Sequence, residues 1–361
     1  MNLYKTSVAP ITSGKSVSRR LLLQGSAAAV AAPWTLARAA GQVANGKPVT
    51  LVVSYAAGGG ADLMARLIAP RLAEALGQSV VVDNKPGASG QIAAGVVARA
   101  VPDGSQLLLD ASSFAVNPAL FSKLSYDSDK AFTPLAVLAL FPNVLVCTPG
   151  FEAKSVKDLV QMAKATPGQI SYASSGNGST QHLAGALFED RAGVSMVHVP
   201  YRGGGPAMND VMAGQVPLFF ANVASSLRQI QSGRLRPLAV TSRRRARALM
   251  EIPTMEESRV PAYEVLEWNQ VLAPPGMDPK VKAVLVAALR KAMADPEVLG
   301  RSAPSVARPS PVARKVWCQP FSRRNKRNGR ALCVTARSRS DNKRDKQAGR
   351  RPAMGLPCSC F

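Results

Sequence analysis

The chain has 361 residues, 47% of them apolar, which is enough for two ordinary α/β domains with buried cores. Its formal net charge of +23 at pH 7 would by itself suggest a nucleic acid or an anionic membrane surface as the partner. Most of that charge lies at the ends, with five bases and no acid in residues 1–39 and 16 bases against two acids in residues 301–361. Residues 40–300 hold 24 bases and 20 acids, so we expect no nucleic-acid partner.

The first 39 residues have the pattern of an export signal. Arg19 and Arg20 form a twin-arginine start, an apolar Ala-rich stretch follows, and residues 37–39 fit a small-x-small cleavage site. The apolar stretch is shorter than the ~20 residues that a membrane-spanning helix needs. We therefore expect a twin-arginine-type signal peptide over residues 1–39, cleaved near Ala39, and a mature protein in the periplasm. The alternative is an N-terminal helix that stays attached.

From Lys47 onward, strand-like and helix-like segments alternate, which is the pattern of an α/β domain. Apolar runs predict strands over three segments of the first half, residues 49–54, 79–83 and 106–111. Apolar residues at helical spacing predict two helices there, residues 61–76, with Gly77 as the terminator, and residues 91–100.

The second half continues the alternation. Two further segments have strand character, residues 169–173 and 194–200. Helices are predicted over residues 155–164, 180–191 and 279–294, and one more is predicted to begin at Pro206, because proline suits the first turn of a helix.

Three strands run directly into glycines that open a helix, at residues 58–60, 176–178 and 203–205. Helix N-termini present unpaired N–H groups and a partial positive charge, so such turns suit a carboxylate or a phosphate. Any one of them is more simply explained as a tight turn that packs a helix on a strand. Three in one chain favour a small anion bound between two domains.

The three loops lack the residues that nucleotide-binding motifs require. A Walker A loop needs a lysine after its glycines, and none of the three loops has one. A dinucleotide fingerprint needs a glycine at the position of Leu63. The sequence therefore favours an anion other than a nucleotide.

Catalytic and cofactor motifs are equally scarce. His182 and His198 are the two histidines of the chain, and neither lies in an HExxH or GxSxG arrangement. Asp62 is interpreted as a helix cap, and Cys147 as a small buried hydrophobic residue. The other cysteines match no zinc or redox spacing, so we expect no metal and no cofactor.

Several longer segments resemble one family. They include VVSYAAGGGADLMARL, ISYASSGNGSTQHLAGALF, MVHVPYRGGGPAMNDVMAGQV and LAPPGMDPKV. These stretches closely resemble the Bug-type substrate-binding proteins of tripartite tricarboxylate transporters, and the matching segments run in order from about Lys47 to Leu299. The resemblance implies an α/β, two-domain periplasmic-binding-protein (type II) fold with a ligand cleft between the domains, and a receptor without catalysis.

The resemblance also implies a set of ligand-binding residues by position. The first loop would take one carboxylate with Tyr55, Ala57, Gly58, Gly59, Gly60 and Asp62. The second side would be lined by Ser174, Ser175, Gly178, Ser179, Thr180 and His182 and closed by Tyr201, Arg202, Gly203 and Asn222. Two further contributors are Ser112 and Ser113.

The implied partners are a small organic anion (a di- or tricarboxylate or an aromatic acid) and the membrane subunits of a tripartite transporter, and we expect a monomer. Two other functions stay open, a ligand-sensing input protein for a signalling system and an exported enzyme on the same fold. The expected organisation is a first domain over residues 40–142, a second over 143–266, a return to the first over 267–300, and a basic tail over 301–361.

The sequence departs from the family in two respects. Ala61 and Ala221 stand where relatives often have a hydroxyl residue and an aspartate, and the absence of an acid there suggests a ligand without an ammonium group. From residue 301 an Arg-, Pro- and Cys-rich tail replaces the expected helices, which suggests a lost reading frame or a disordered extension. Translation of the gene in the other two frames tests the first interpretation.

Overall fold

The computed structural model describes residues 43–302. The predicted signal peptide lies outside the described residues, as does the predicted tail beyond Ser302. None of the helices between residues 43 and 302 combines the length and the apolar character that crossing a bilayer requires.

Strands and helices alternate along the described part of the chain. The strands are β1 (Val49–Val53), β2 (Val80–Asn84), β3 (Gln106–Ala111), β4 (Thr133–Cys147), β5 (Ser171–Ser174), β6 (Val197–Pro200), β7 (Leu218–Asn222), β8 (Arg236–Val240) and β9 (Leu266–Ala273). The helices are α1 (Gly60–Leu76), α2 (Gln91–Ala98), α3 (Ser113–Leu120), α4 (Val156–Ala165), α5 (Thr180–Ala192), α6 (Gly204–Met212), α7 (Val223–Gln231), α8 (Pro279–Ala294) and α9 (Pro296–Ser302).

The strands form a mixed sheet in the order β2-β1-β3-β9-β4-β7-β5-β6, and β8 pairs with β4. The parallel strands β1, β2 and β3, with α1, α2 and α8, make the first lobe. The parallel strands β5, β6 and β7, with β8 and α4–α7, make the second lobe. This α/β arrangement confirms the predicted fold class.

Two long antiparallel strands connect the lobes. Residues 133–142 of β4 pair with β9, whereas residues 143–147 pair with β7. Because β9 also pairs with β3, the chain passes between the lobes without leaving the sheet.

Each lobe buries apolar side chains on both faces of its strands. In the second lobe, Phe219 and Phe220 are neighbours on β7 and point to opposite faces, as the alternation of a strand requires. In the first lobe, Leu107 and Leu108 divide between the two faces in the same way. Both lobes are therefore helix-covered on two sides, which leaves the helix entrances at the strand ends available for a site.

Most predicted elements are present, with small shifts at their ends. Gly77 ends α1 in the left-handed conformation (φ 67°), as predicted. Helix α6 begins at Gly204 rather than at Pro206, because the glycines themselves form its first turn. The sequence analysis did not predict β4, a long apolar run that contains Pro134 and Pro142.

Candidate functional site

Four helices begin at one cavity between the two lobes. Its volume is ≈ 20 Å³. It is lined by Tyr55, Gly59, Gly60, Ala61, Ala111, Ser175, Thr180, Gln181, Gly204, Phe219, Asn222, Ser225 and Glu267. Helix α1 comes from the first lobe, and α5, α6 and α7 come from the second, so both lobes direct positive helix ends at the same space.

The four helix starts differ in how they are capped. Asn222 Oδ1 accepts hydrogen bonds from the N–H groups of Ala224 and Ser225 at the start of α7. Ser179 Oγ accepts from the His182 N–H at the start of α5. Helices α1 and α6 follow glycine caps, which offer no side-chain acceptor. Their first-turn N–H groups have no partner within the helix and suit an anionic ligand.

The first loop is held in place from within. Asp62 Oδ2 accepts a hydrogen bond of 3.0 Å from the Gly58 N–H, and the Asp62 carboxylate also pairs with Arg66. Tyr55 Oη lies 2.5 Å from Ser113 Oγ, and the carbonyl oxygen of Tyr55 accepts from Asn84 Nδ2. Asp62 therefore occupies the Gly58 donor and fixes the loop before α1, whereas the N-cap position itself is Gly59, without a side-chain cap.

The second loop depends on both histidines. Ser174 Oγ lies 2.6 Å from His198 Nε2, and His182 Nδ1 accepts a hydrogen bond of 3.1 Å from the Gly178 N–H. The two imidazole rings stack with centroids 4.0 Å apart. Burial lowers the pKa of His182, and burial together with His182 lowers the pKa of His198 to about 4, so both rings are neutral at pH 7.

Close glycine contacts join the first and third loops across the cleft. The Ala56 N–H donates to the Arg202 carbonyl oxygen at 3.1 Å. A Cβ on Gly59 would lie 3.1 Å from the backbone nitrogen of Gly204, and a Cβ on Gly205 would overlap the carbonyl oxygen of Ala57. The lobes meet this closely because neither loop carries side chains at these positions.

The predicted site residues divide into two groups. Those that line the cavity are Tyr55, Gly59, Gly60, Ser175, Thr180 and Asn222. Those placed outside its wall are Ala57, Gly58, Asp62, Ser112, Ser113, Ser174, Gly178, Ser179, His182, Tyr201, Arg202 and Gly203. Within the second group, Ala57, Gly58 and Tyr201 line a neighbouring groove of ≈ 570 Å³. Tyr201 donates a 2.7 Å hydrogen bond to Asp210 there.

Thr180 is the predicted residue with the clearest unused hydrogen-bonding group. It is the first residue of α5 and is 4% exposed. Its hydroxyl oxygen is buried and has no hydrogen-bond partner among the described residues. Buried hydroxyl groups are normally paired, so this one is available to a ligand in the cavity.

Two buried acids near the site were not predicted. Glu267, on β9, lines the cavity and accepts hydrogen bonds from Gln181 Nε2 and Asn222 Nδ2. Asp110, at the end of β3, is fully buried and accepts from Ser54 Oγ at 2.6 Å. Burial raises the pKa of Glu267 and raises the pKa of Asp110 to about 7. The sequence analysis inferred a ligand without an ammonium group from Ala61 and Ala221. It did not consider Glu267, which places an acid in the cavity wall.

A family model and several solved structures match this chain. The model described as tripartite tricarboxylate transporter family receptor matches residues 64–302. A protein encoded in the tcbD-tcbE intergenic region of Pseudomonas sp. (strain P51) is 38% identical over 79% of this chain and 84% of its own length. The protein BugT of Bordetella pertussis is 35% identical over 73% of this chain and 81% of its own.

Two related structures contain organic acids. MatC from Rhodopseudomonas palustris with bound malate has a TM-score of 0.69 and 31% identity, over 73% of this chain and 90% of its own. The R. palustris protein Rpa4515 with adipate has a TM-score of 0.68 and 37% identity, over 70% of this chain and 85% of its own.

Proposed function

Because this chain belongs to the tripartite tricarboxylate transporter family of periplasmic solute-binding receptors, we propose that it captures a small organic acid in the cavity between its lobes. The ligand class is a di- or tricarboxylate or an aromatic acid. The observation that supports this proposal most directly is the convergence of four helix N-termini on one cavity. Two related structures, which contain malate and adipate, also support it.

The uncapped start of α1 is the proposed seat of one carboxylate. Gly60 and Ala61 supply first-turn N–H groups there, and the missing side chain of Gly60 leaves room for the Asn222 side chain in the cavity wall. A Cβ on Gly60 would lie 2.8 Å from Asn222 Cγ, which is fixed by its own hydrogen bonds. The Thr180 hydroxyl is the proposed donor on the opposite side of the cavity.

We further propose that the two lobes act as domains that close over the ligand. The hinge would lie where β4 and β9 pass between the lobes, close to the boundaries at residues 142 and 266. The closed form would be the one that the membrane subunits of a tripartite transporter recognise. Removal of residues 1–39 on export would release this receptor into the periplasm.

Isothermal titration calorimetry of the purified protein with malate, adipate, citrate and benzoate tests the proposal. At least one acid is expected to bind with a Kd in the micromolar range or below, and the corresponding neutral amide is expected not to bind, because helix N-termini favour anions. NMR of the recovered ligand is expected to show it unchanged. A folded protein that binds none of the acids would contradict the receptor proposal, and conversion of the ligand would indicate an enzyme.

A further inference from the structure

The carboxyl group of Glu267 is an unusual part of the cavity wall. Glu267 is 4% exposed, and one of its oxygens, Oε2, accepts the hydrogen bonds from Gln181 and Asn222. Gln181 Nε2 lies 2.8 Å from that oxygen and Asn222 Nδ2 lies 3.1 Å from it. Neither of these two hydrogen bonds reaches the other oxygen, Oε1, of this cavity-lining side chain.

This carboxylate is poorly solvated by the protein. A carboxylate has about four acceptor positions on its two oxygens, and the neutral side-chain amides of Gln181, Asn222 and Asn269 fill only part of them. Burial raises the pKa of Glu267, whereas the amide hydrogen bonds lower it. Within residues 43–302, no lysine, arginine or histidine lines the cavity. A ligand that brings a donor to Oε1 would therefore replace hydration that burial has removed.

The neighbouring titratable groups do not supply that donor. Tyr55, from the first lobe, lines the same cavity, and its hydroxyl is already paired with Ser113 Oγ. Asp110 lies behind that pair and is itself an acceptor, held by Ser54 Oγ and the Ala111 N–H. Each of these groups is hydrogen-bonded to a residue other than Glu267.

We propose that Glu267 selects, among small organic acids, those that carry a hydroxyl or ammonium donor beside the carboxylate, with the donor bound at Glu267 Oε1. This inference rests on the proposed function and adds a requirement to it. An unsubstituted acid would place methylene groups, or its second carboxylate, against an anionic oxygen. The first leaves that oxygen desolvated and the second adds like-charge repulsion.

Three four-carbon acids that differ only at C2 provide the test. Calorimetry at pH 8 with malate, aspartate and succinate is expected to give malate and aspartate Kd values roughly 10- to 100-fold lower than that of succinate, because a site built around a polar acceptor discriminates against an analogue without the donor. A second pair, 2-aminoadipate and adipate, covers a longer chain.

The variant Glu267→Gln changes the acceptor into a group that can donate. Its amide oxygen would take over the hydrogen bonds from Gln181 and Asn222, leaving its NH₂ group toward the cavity. The preference for the substituted acids is expected to fall at least tenfold in this variant. Glu264→Gln is the matched control, because Glu264 pairs with Arg243 and does not line the cavity. A thermal melt checks that both variants fold.

Three outcomes would overturn the inference. The first is that neither substituted acid binds more tightly than its unsubstituted partner. The second is that the preference survives in Glu267→Gln. The third is that succinate binds with uptake of one proton, measured in two buffers of different ionisation enthalpy, because Glu267 would then act as a protonated donor. Equal binding of all the acids would contradict selection by Glu267 but not the receptor function. If no organic acid binds, both the receptor function and the selection by Glu267 are rejected.

Discussion

If Thr180 contacts the ligand as proposed, its buried hydroxyl affects both ligand affinity and stability. Without a partner it weakens the folded protein, and with a ligand oxygen it would be satisfied. Thr180→Val is therefore expected to raise the free energy of unfolding by about 1 kcal/mol and to weaken binding of the preferred acid about tenfold. Chemical denaturation and calorimetry measure the two effects.

Thr166→Val is the matched control for that prediction. Thr166 lies at the end of α4, is exposed, and donates to the Met162 carbonyl oxygen. Its replacement is expected to leave affinity unchanged. A Thr180→Val protein that binds as tightly as the parent would show that the hydroxyl does not contact the ligand.

Asp110 predicts how stability depends on pH. Burial raises its pKa from 3.8 to about 7, so its contribution to stability is complete below pH 3.8 and is lost as the pH rises through 7. Asp110→Asn removes this titration and is expected to raise the melting temperature at pH 8 more than at pH 5. The full difference corresponds to an upper limit of about 4 kcal/mol. Thermal melts from pH 4 to pH 8 measure it.

Asp190→Asn is the control for Asp110→Asn, since Asp190 is partly exposed and pairs with Arg191 at the surface. It is expected to leave the pH profile unchanged. The same profile in Asp110→Asn as in the parent would mean that the Asp110 carboxyl is ionised at pH 5 in the folded protein.

The sequence predicted some site residues and missed others for a physical reason. Thr180 lies at a predicted helix entrance, so local pattern and the family resemblance both point to it, whereas Asn222 was implied by the resemblance alone. Glu267 lies within a strand, and its neighbour on β4 is Phe141, more than 100 positions away along the chain. Only the pairing of β9 with β4, which no local pattern contains, brings that acid to the cavity.

At the level of elements, the three glycine-rich helix entrances are confirmed as β1 to α1, β5 to α5 and β6 to α6. The strands that join the lobes were missed because periodicity cannot distinguish a long buried strand from a buried helix, and the prolines of β4 argued against a strand. The elements proposed to hold one end of a ligand were therefore more predictable than the strands that connect the lobes.

Gly205 tests the contact between the first and third loops. A Cβ at this position would overlap the Ala57 carbonyl oxygen, which is a backbone atom and cannot turn aside as the end of a flexible side chain can. Gly205→Ala is expected to hold the lobes apart and to weaken acid binding at least 100-fold, while the cores of both lobes stay intact. Small-angle scattering with ligand and calorimetry measure these effects.

Gly150→Ala is the control, because a Cβ at Gly150 meets no atom of the described part of the chain within 4 Å. It is expected to bind as the parent does. Unchanged affinity in Gly205→Ala would show that ligand capture does not need this approach of the loops.

For the molecule as a whole, the family and the fold could be predicted because the matching segments extend through both lobes. The placement of the lobes could not be predicted, since it depends on β4, which pairs first with β9 and then with β7. The signal peptide and the tail beyond Ser302 stay predictions.

The small volume of the cavity has a consequence for the speed of binding. A space of ≈ 20 Å³ holds about one water molecule, so a dicarboxylate cannot enter while the Ala56 to Arg202 hydrogen bond and the glycine contacts are in place. Entry must follow opening. The association rate in stopped-flow fluorescence, with Trp268 on β9 as the reporter, is therefore expected to level off at the opening rate as ligand concentration rises. A rate that rises in proportion to concentration throughout would mean that this receptor rests open and that the acid itself draws the lobes together.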